Sequence, residues 1–378
     1  MIKKTRIMTP GPTPVPVDVL LEGAKETIAH RTPEFKKMLK TASENLKKVF
    51  RTDGHVFILS SSGTGALEAA VANTVSPGDK VITIVGGKFG ERWAELGQAY
   101  GANMVKIEVE WGDLAEPAQV EKVLRENPDT KVVFSTLSET STGVVYDIKG
   151  IAEVVKKTDA ILVVDAVSGL IAEPLEMSEW GVDIAVAGSQ KAFMMPPGLA
   201  FVAVQTEKAW KRIEETSSPR YYFDLRAYKK KHPDTPYTGA VNLVYQLNKA
   251  LEMIEEEGME NIWKRHALFA EAMRNGVKEI GLELLPKKPG NVLTAVKIPE
   301  GVDGAEFLKV AREKYGMYFS GGQGKLTGKI FRASNLGYVD RLDMISAMAV
   351  IEMVLSDLGK KVPIGAGVKV VEETLLKG

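Results

Sequence analysis

Ile161-Leu162-Val163-Val164-Asp165 is an uninterrupted apolar run closed by a carboxylate, and Ser189-Gln190-Lys191 stands just beyond the next such run, Ile184-Ala-Val-Ala187. Short runs of Val, Ile and Ala bounded by turn residues read as strands of a buried parallel sheet. Ligands of such sheets collect at the carboxyl ends of the strands, where Asp165 and Lys191 both fall. A lysine placed there can be partly desolvated and deprotonated, as Schiff-base chemistry requires. A carboxylate placed there can keep a proton on a pyridine nitrogen and make the ring an electron sink. Together the two read as the halves of a pyridoxal-phosphate site. Singly, Lys191 reads as one of many solvated lysines and Asp165 as a turn residue, because isolated short motifs have many false positives.

Outward from this stretch the alternation of strand, glycine turn and helix repeats. Strands are predicted over 56–59, 80–85, 103–109, 131–135, 161–165, 184–187 and 200–204, with helices over 64–75, 90–100, 118–126, 148–156 and 207–215. The pattern predicts an α/β fold, a mostly parallel seven-stranded sheet covered on both faces, with the direction of the last strand left open. Residues 17–50 alternate apolar and charged at helical spacing up to the turn Thr52-Asp-Gly54. Beyond Asn242 one helical stretch runs toward Gly258 and a second through Trp263 to Ile280; the tail then mixes strands and helices, an α+β pattern. A chain of 378 residues is too long for one ordinary core. The expected division is an N-terminal segment (1–17), a large domain (18–252) and a smaller α+β domain (253–378).

The chain is 44% apolar, and its apolar runs are far too short to span a bilayer. No apolar signal segment follows the basic start Met1-Ile-Lys-Lys-Thr-Arg6, so a soluble cytoplasmic protein is expected. Lys plus Arg and Asp plus Glu each number 49, which leaves no field to attract nucleic acid or an anionic membrane. The run Lys229-Lys230-Lys231 reads as a solvated loop or a binding-site rim. Cysteine is absent, which excludes disulfides, thiolate metal sites and cysteine nucleophiles. Four dispersed histidines, His30, His55, His232 and His266, give no pattern for a metal centre. A lack of cysteine with abundant Glu and Lys suits a heat-adapted protein, an idea that a melting temperature in the mesophile range would contradict.

Seven stretches, in order, point to one family. They are Thr9-Pro-Gly-Pro-Thr-Pro14, Ser61-Ser-Gly-Thr-Gly-Ala-Leu-Glu68, Gly86-Gly-Lys-Phe-Gly-Glu-Arg92, Glu139-Thr-Ser-Thr-Gly143, Val164-Asp-Ala-Val-Ser168, Gly188-Ser-Gln-Lys191 and Phe331-Arg-Ala-Ser-Asn-Leu-Gly337. With these the chain resembles, over nearly its whole length, the class V (fold type I) pyridoxal-phosphate enzymes, and among them the alanine–glyoxylate/serine–pyruvate aminotransferases. Cysteine desulfurases of the same superfamily use a catalytic cysteine, which this chain does not have.

The resemblance implies pyridoxal 5'-phosphate as cofactor and assigns residues to it. Ser61-Ser62-Gly63-Thr64-Gly65 joins a predicted strand to a helix, where backbone N–H groups suit a phosphate, although many such turns serve packing alone. The family puts the phosphate on Ser62, Gly63 and Thr64. It places Phe89 flat on the pyridine face, where many members have tryptophan; the plainer reading is a core phenylalanine. Thr140 falls where a hydroxyl meets the cofactor's phenolic oxygen, in what is otherwise a Ser/Thr turn. Asp165 pairs with the pyridine nitrogen, and Ser168 and Gln190 add contacts around the cofactor. Lys191 carries the cofactor as a Schiff base and moves the proton between the substrate and cofactor carbons.

On the substrate side the resemblance implies Gly11 and Arg332, a guanidinium that binds a carboxylate through two parallel hydrogen bonds. Without the family Arg332 reads as a salt-bridge residue. The nearby Gly324-Lys325 is no nucleotide loop, since Leu326 and Phe319 occupy the Ser/Thr and first glycine positions of that motif. Thr235 matches a threonine that reaches the phosphate of the neighbouring subunit, which implies a homodimer with two equivalent sites. The family's tyrosine three positions earlier is His232 here, which leaves that contact open.

The expected activity is ping-pong transamination from a small amino acid, alanine or serine, to a small 2-oxo acid, glyoxylate or pyruvate. The choice of small substrates rests on the lack of an evident second cationic anchor. An aspartate or aminophosphonate aminotransferase, anchored by His30-Arg31, is one alternative, and a pyridoxal-phosphate lyase is another. A non-catalytic binding protein is a third, though it would have no need of a Schiff-base lysine.

Overall fold

The seven apolar runs form one sheet, in the order His55–Leu59, Ala200–Val204, Ile184–Gly188, Ile161–Asp165, Val132–Thr136, Lys80–Val85 and Asn103–Glu108. Neighbours pair in parallel except Ala200–Val204, which is antiparallel to both strands beside it. The computed structural model describes residues 4–378, so Met1, Ile2 and Lys3 of the basic start lie outside the described residues.

Strands Ile161–Asp165, Ile184–Gly188 and Ala200–Val204 are buried along their whole length, which is why they show no polar alternation. On one face lies helix Gly63–Thr74, with Ala66, Leu67, Ala70 and Val71 in the core. Beside it Trp93 stacks on Phe134 at 4.3 Å between ring centroids, and its indole N–H donates to the Ser135 carbonyl at 3.2 Å. Each fully buried Phe or Leu of these layers contributes roughly 1.5–3 kcal/mol. On the other face helix Pro33–Phe50 buries Phe35, Leu39, Ala42, Leu46 and Val49, a single stripe at helical spacing. Its start is set by Thr32, whose hydroxyl accepts the Phe35 N–H, and by Pro33 in the first turn. Residues 17–50 therefore hold two helices, Val17–Glu22 and Pro33–Phe50, with the break at a cap that suits a fresh start.

A second core gathers Phe307, Phe331, Met344 and Ile351. Here strand Ile330–Ser334 lies antiparallel between Leu293–Lys297 and Ser320–Gly321, among helices Met259–Glu279, Gly304–Tyr315, Arg341–Asp357 and Ala366–Leu375. Residue 253, the expected change of domain, lies inside helix Val241–Glu257. Leu251 and Ile254 of that helix, and Ile262 of the next, pack in the sheet's core; from Phe269 onward the packing is with the second core. Strand Arg6–Ile7 pairs in parallel with Met317–Tyr318, and Met8 is buried in the second core, so the start of the chain sits with its tail.

The lysine run is not a loop. Lys229, Lys230 and Lys231 form the last turn of helix Leu225–Lys231, where cations favour the terminal carbonyls, and Lys229 Nζ lies 3.8 Å from the centroid of the Trp210 ring. Among the described residues no helix is long and apolar enough to cross a membrane, and no three His, Cys, Asp or Glu side chains are grouped to hold a metal ion.

Candidate active site

Helix Gly63–Thr74 follows strand His55–Leu59 after a short turn, and its N-cap residue Ser62 is extended and provides no side-chain cap. The N–H groups of the first turn therefore face outward uncapped, where the helix dipole favours an anion. Ser62 and Thr64 are exposed there, and Gly63 is buried. A Cβ on Gly63 would come within 2.9 Å of the Val167 side chain, and one on Gly188 would lie 3.1 Å from Gln190 Oε1 and 3.4 Å from Gly63 Cα. The cradle, the residues after Asp165 and the turn before Lys191 thus meet at one place. Gln190 Oε1 is buried there without a hydrogen-bond partner.

Asp165 is 3% exposed, and its Oδ1 accepts the Val167 N–H at 2.8 Å. Burial pushes its pKa up to about 6; the Val167 N–H opposes this, Glu139 adds to it, and Arg92 and Lys191 oppose it. Lys191 is partly buried, and its Nζ donates to the Pro10 carbonyl at 2.8 Å. Burial pulls its pKa down to about 8 against the attraction of Asp165, helped by Arg332 and Arg92. Near neutral pH the carboxylate is an anion, and the amine is far closer to deprotonation than an exposed lysine.

The start of the chain closes over this lysine. Thr13 Oγ1 donates to the Lys191 carbonyl at 2.9 Å, and the Thr13 N–H to the Gln190 carbonyl at 3.2 Å. Gly11 has φ +140°, and a Cβ there would overlap Lys191 Nζ, so only glycine fits. From the tail, Gly337 approaches the same turn: a Cβ on it would lie 3.1 Å from Thr13 Oγ1 and 3.3 Å from the Lys191 carbonyl oxygen. Gly337 is held in turn by helix Met259–Glu279. Its N–H donates to His266 Nε2 at 3.2 Å, and its carbonyl accepts from Arg265 at 3.1 Å. His266 is fully buried, with Nδ1 2.8 Å from the Ile262 carbonyl; burial drives its pKa down to about 3, so the ring is neutral.

Thr140 Oγ1 donates to Ser168 Oγ at 2.7 Å, and both side chains are buried. The Thr140 carbonyl accepts from Arg332 Nη1 at 2.8 Å, while Nε and Nη2 of Arg332 donate to the Gly321 carbonyl at 3.0 and 2.7 Å. Arg332 is 5% exposed, and burial lowers its pKa to about 10, with Glu139 opposing. Phe89 stands in the first turn of helix Lys88–Ala99. Its N–H and that of Gly90 donate to the buried Glu139 carboxylate at 3.1 and 3.0 Å.

Among the sequence-predicted residues the structure brings Ser62, Gly63, Gln190, Lys191 and Gly11 into one neighbourhood, and links Thr140, Ser168 and Arg332 by hydrogen bonds. Thr235 is not joined to them. Its hydroxyl donates to the Tyr237 carbonyl at 2.7 Å, and its carbonyl accepts from Arg31 at 2.7 Å. His232 packs edge-on against His55, 5.4 Å between ring centroids. Sequence reasoning passed over Glu139 and Arg92, which stand inside quoted motifs, and over Thr13 and His266, whose partners lie far along the chain.

An uncapped helix N-terminus, a buried carboxylate at a strand end and a desolvated lysine fit the phosphate, ring nitrogen and aldehyde of pyridoxal phosphate. The family model described as aminotransferase class-V matches residues 18–335. The chain is 42% identical to an uncharacterized aminotransferase of Methanocaldococcus jannaschii, covering 99% of this chain and 98% of that one. It is 38% identical to an L-aspartate--glyoxylate aminotransferase of Paracoccus denitrificans (99% and 96% covered) and 37% identical to a serine--glyoxylate aminotransferase of Methylorubrum extorquens (97% and 94%). Among solved structures, the ureidoglycine-glyoxylate aminotransferase of Bacillus subtilis superposes with a TM-score of 0.94 at 28% identity, covering 99% of each chain. The chain belongs to the class V aminotransferase family: it is a transaminase, and its cofactor is pyridoxal phosphate.

Proposed function

We propose that the enzyme moves the amino group of alanine or serine to glyoxylate or pyruvate in the two half-reactions of a ping-pong cycle. The observation that carries this reading is Arg332. Three of its five N–H donors are held by the Thr140 and Gly321 carbonyls, which leaves two for a single carboxylate. Arg31, the alternative second anchor, is occupied within the chain by Asp234 and by the carbonyls of Thr235 and Pro236. Glyoxylate appears in the names of all three substrate-specific proteins compared above, which supports it as the acceptor; the aspartate named for one of them makes aspartate the competing donor.

Pyridoxal phosphate, held by Lys191 and Asp165 with its phosphate on Ser62, Gly63 and Thr64, supplies a ring that takes up the electron pair left when the substrate α-carbon loses its proton. Lys191 removes that proton as a base and returns it as an acid, a task suited to an amine whose pKa is pulled toward 8. Asp165 holds the ring nitrogen protonated. With the cofactor bound, Phe89 would bound the ring, Thr140 with Ser168 would supply a hydroxyl to it, and Gln190, whose Oε1 has no partner within the chain, would stand beside it. Arg332 orients the substrate carboxylate, and its bond to the Thr140 carbonyl ties substrate and cofactor contacts into one frame. The working unit is a homodimer in which Thr235 faces the neighbouring subunit's phosphate.

The test is the visible spectrum of the purified enzyme with its cofactor, followed after separate additions of alanine, serine and aspartate. Loss of the visible band fastest with alanine or serine supports the assignment. Loss fastest with aspartate moves the enzyme to the dicarboxylate class, and no loss with any of the three rejects transamination of these donors.

A further inference from the structure

Arg92 is the cation of helix Lys88–Ala99 nearest the cradle, and among the described residues it has no carboxylate partner. Its guanidinium carbon lies 5.0 Å from the centroid of the Phe89 ring, and its Nη1 donates to Thr64 Oγ1 at 3.2 Å. Phe89 is itself fixed from behind, since its N–H and that of Gly90 are held by Glu139. Arg92 thus touches two elements at once, the ring assigned to the cofactor's face and the hydroxyl at the mouth of the phosphate cradle.

We infer that Arg92 is a positioning residue for the cofactor: it sets the Phe89 ring by stacking on it and brings a guanidinium beside the phosphate at Thr64. The inference rests on reading Ser62 to Thr64 and Phe89 as cofactor contacts. Charge balance argues for it. A phosphate monoester carries close to two negative charges near neutral pH, while a helix N-terminus offers only about half a positive charge. The cradle residues 61–65 contain no Lys or Arg, and Lys191 is held away at the Pro10 carbonyl. Arg92 Nε and Nη2 make no hydrogen bond among the described residues and are free to meet that deficit. Stacking of a guanidinium on an aromatic face also limits the tilt of the ring, which a freely rotating phenylalanine would not do. The same charge acts to lower the pKa of both Lys191 and Asp165, as the weakest of the influences on Lys191 and a minor one on Asp165.

The experiment strips the cofactor from wild type, R92Q and R92K and titrates each with pyridoxal phosphate and, separately, with pyridoxal, reading tryptophan fluorescence. Loss of one charge-assisted contact corresponds to roughly ten- to hundredfold in affinity. R92Q is expected to bind pyridoxal phosphate at least about tenfold more weakly and pyridoxal only a few-fold more weakly, with R92K between wild type and R92Q for the phosphate ligand. Melting curves of the apo proteins show whether R92Q folds; R92K, which keeps the charge, carries the test if it does not. Unchanged affinity for pyridoxal phosphate in a folded R92Q overturns the inference, and so does equal weakening for both ligands. Failure of the wild type to bind pyridoxal phosphate would instead overturn the reading of the whole site, a result visible before any variant is examined.

Discussion

The two halves of the proposed site, one for the cofactor and one for the substrate, are built by different means. Asp165 and the Ser189-Gln190-Lys191 turn stand at or just beyond the ends of buried parallel strands, and register fixes them: Asp165 lies opposite Thr136 on one side and Val186 on the other. Ser62 to Thr64 follow the edge strand His55–Leu59 in the same sheet. The substrate half is assembled from two places: Arg332 lies mid-strand in the second sheet, opposite Ala295 and Ser320, and the rest comes from the ends of the chain. Gly11 and Thr13 come from the start of the chain, Gly321, Arg332 and Gly337 from its tail, and they are joined by hydrogen bonds to backbone carbonyls. The cofactor half is therefore held within one sheet, whereas the substrate half is joined to it by a few contacts between segments distant in sequence. Lesions in the two should separate into cofactor and substrate effects.

The largest expected effect is that of Lys191→Ala, which should lower kcat by about 10³-fold or more in steady-state assays, since no other amine can carry the proton. Measurable turnover would break the assignment of the cofactor half. Arg332→Lys removes the planar fork and should cost about 1.5–3 kcal/mol in transition-state binding, a roughly ten- to hundredfold loss in kcat/KM, with the Kd for pyridoxal phosphate unchanged. Equal losses in both constants would show that the halves are not independent. Gly11→Ala forces a Cβ against Lys191 at a strained φ, and should lower kcat roughly tenfold while shifting KM little. His266→Leu leaves the Gly337 N–H without its acceptor and should cost about 1–3 kcal/mol of stability in denaturant titrations. A parallel fall in kcat would show that Gly337 transmits to Lys191.

A last effect is one of pH on the apo enzyme, where catalysis plays no part. Lys191 titrates near 8 in the folded chain against 10.5 unfolded, so its buried charge disfavours folding fully below about pH 8 and not at all above 10.5. Apo Lys191→Met should therefore melt above apo wild type at pH 7. The gap should close between pH 8 and 10.5, less whatever attraction to Asp165 is lost. A gap that does not change with pH would mean that packing, not charge, sets it.

How much of this was legible in the sequence follows the same division. Asp165 and Lys191 could be placed because an apolar run and its closing polar residue are adjacent in the chain, and strand ends in parallel sheets have one fate. The two-residue strand Arg6–Ile7 has no period to detect, and its partner Met317–Tyr318 is as short. The antiparallel course of Ala200–Val204 is invisible because a strand buried on both faces reads the same in either direction. Lys229 to Lys231 misled because a cation run suits a solvated loop and a helix C-terminus equally. Glu139 and Arg92 stood within recognised motifs, yet only coordinates show that one anchors Phe89 and the other stacks on it.

The pairing of Arg6–Ile7 with Met317–Tyr318 also sets an order of assembly. At about 5–20 residues per second, the first residues leave the ribosome roughly fifteen seconds to a minute before their partner strand is made. The sheet that holds Asp165 and Lys191 can form within that interval, and Thr13 can already meet the Gln190 and Lys191 carbonyls, but strand Arg6–Ile7 has no partner until the tail arrives. The first strand of the chain is thus among the last to be paired, and a chain cut short before residue 317 would leave Arg6–Ile7 without its partner.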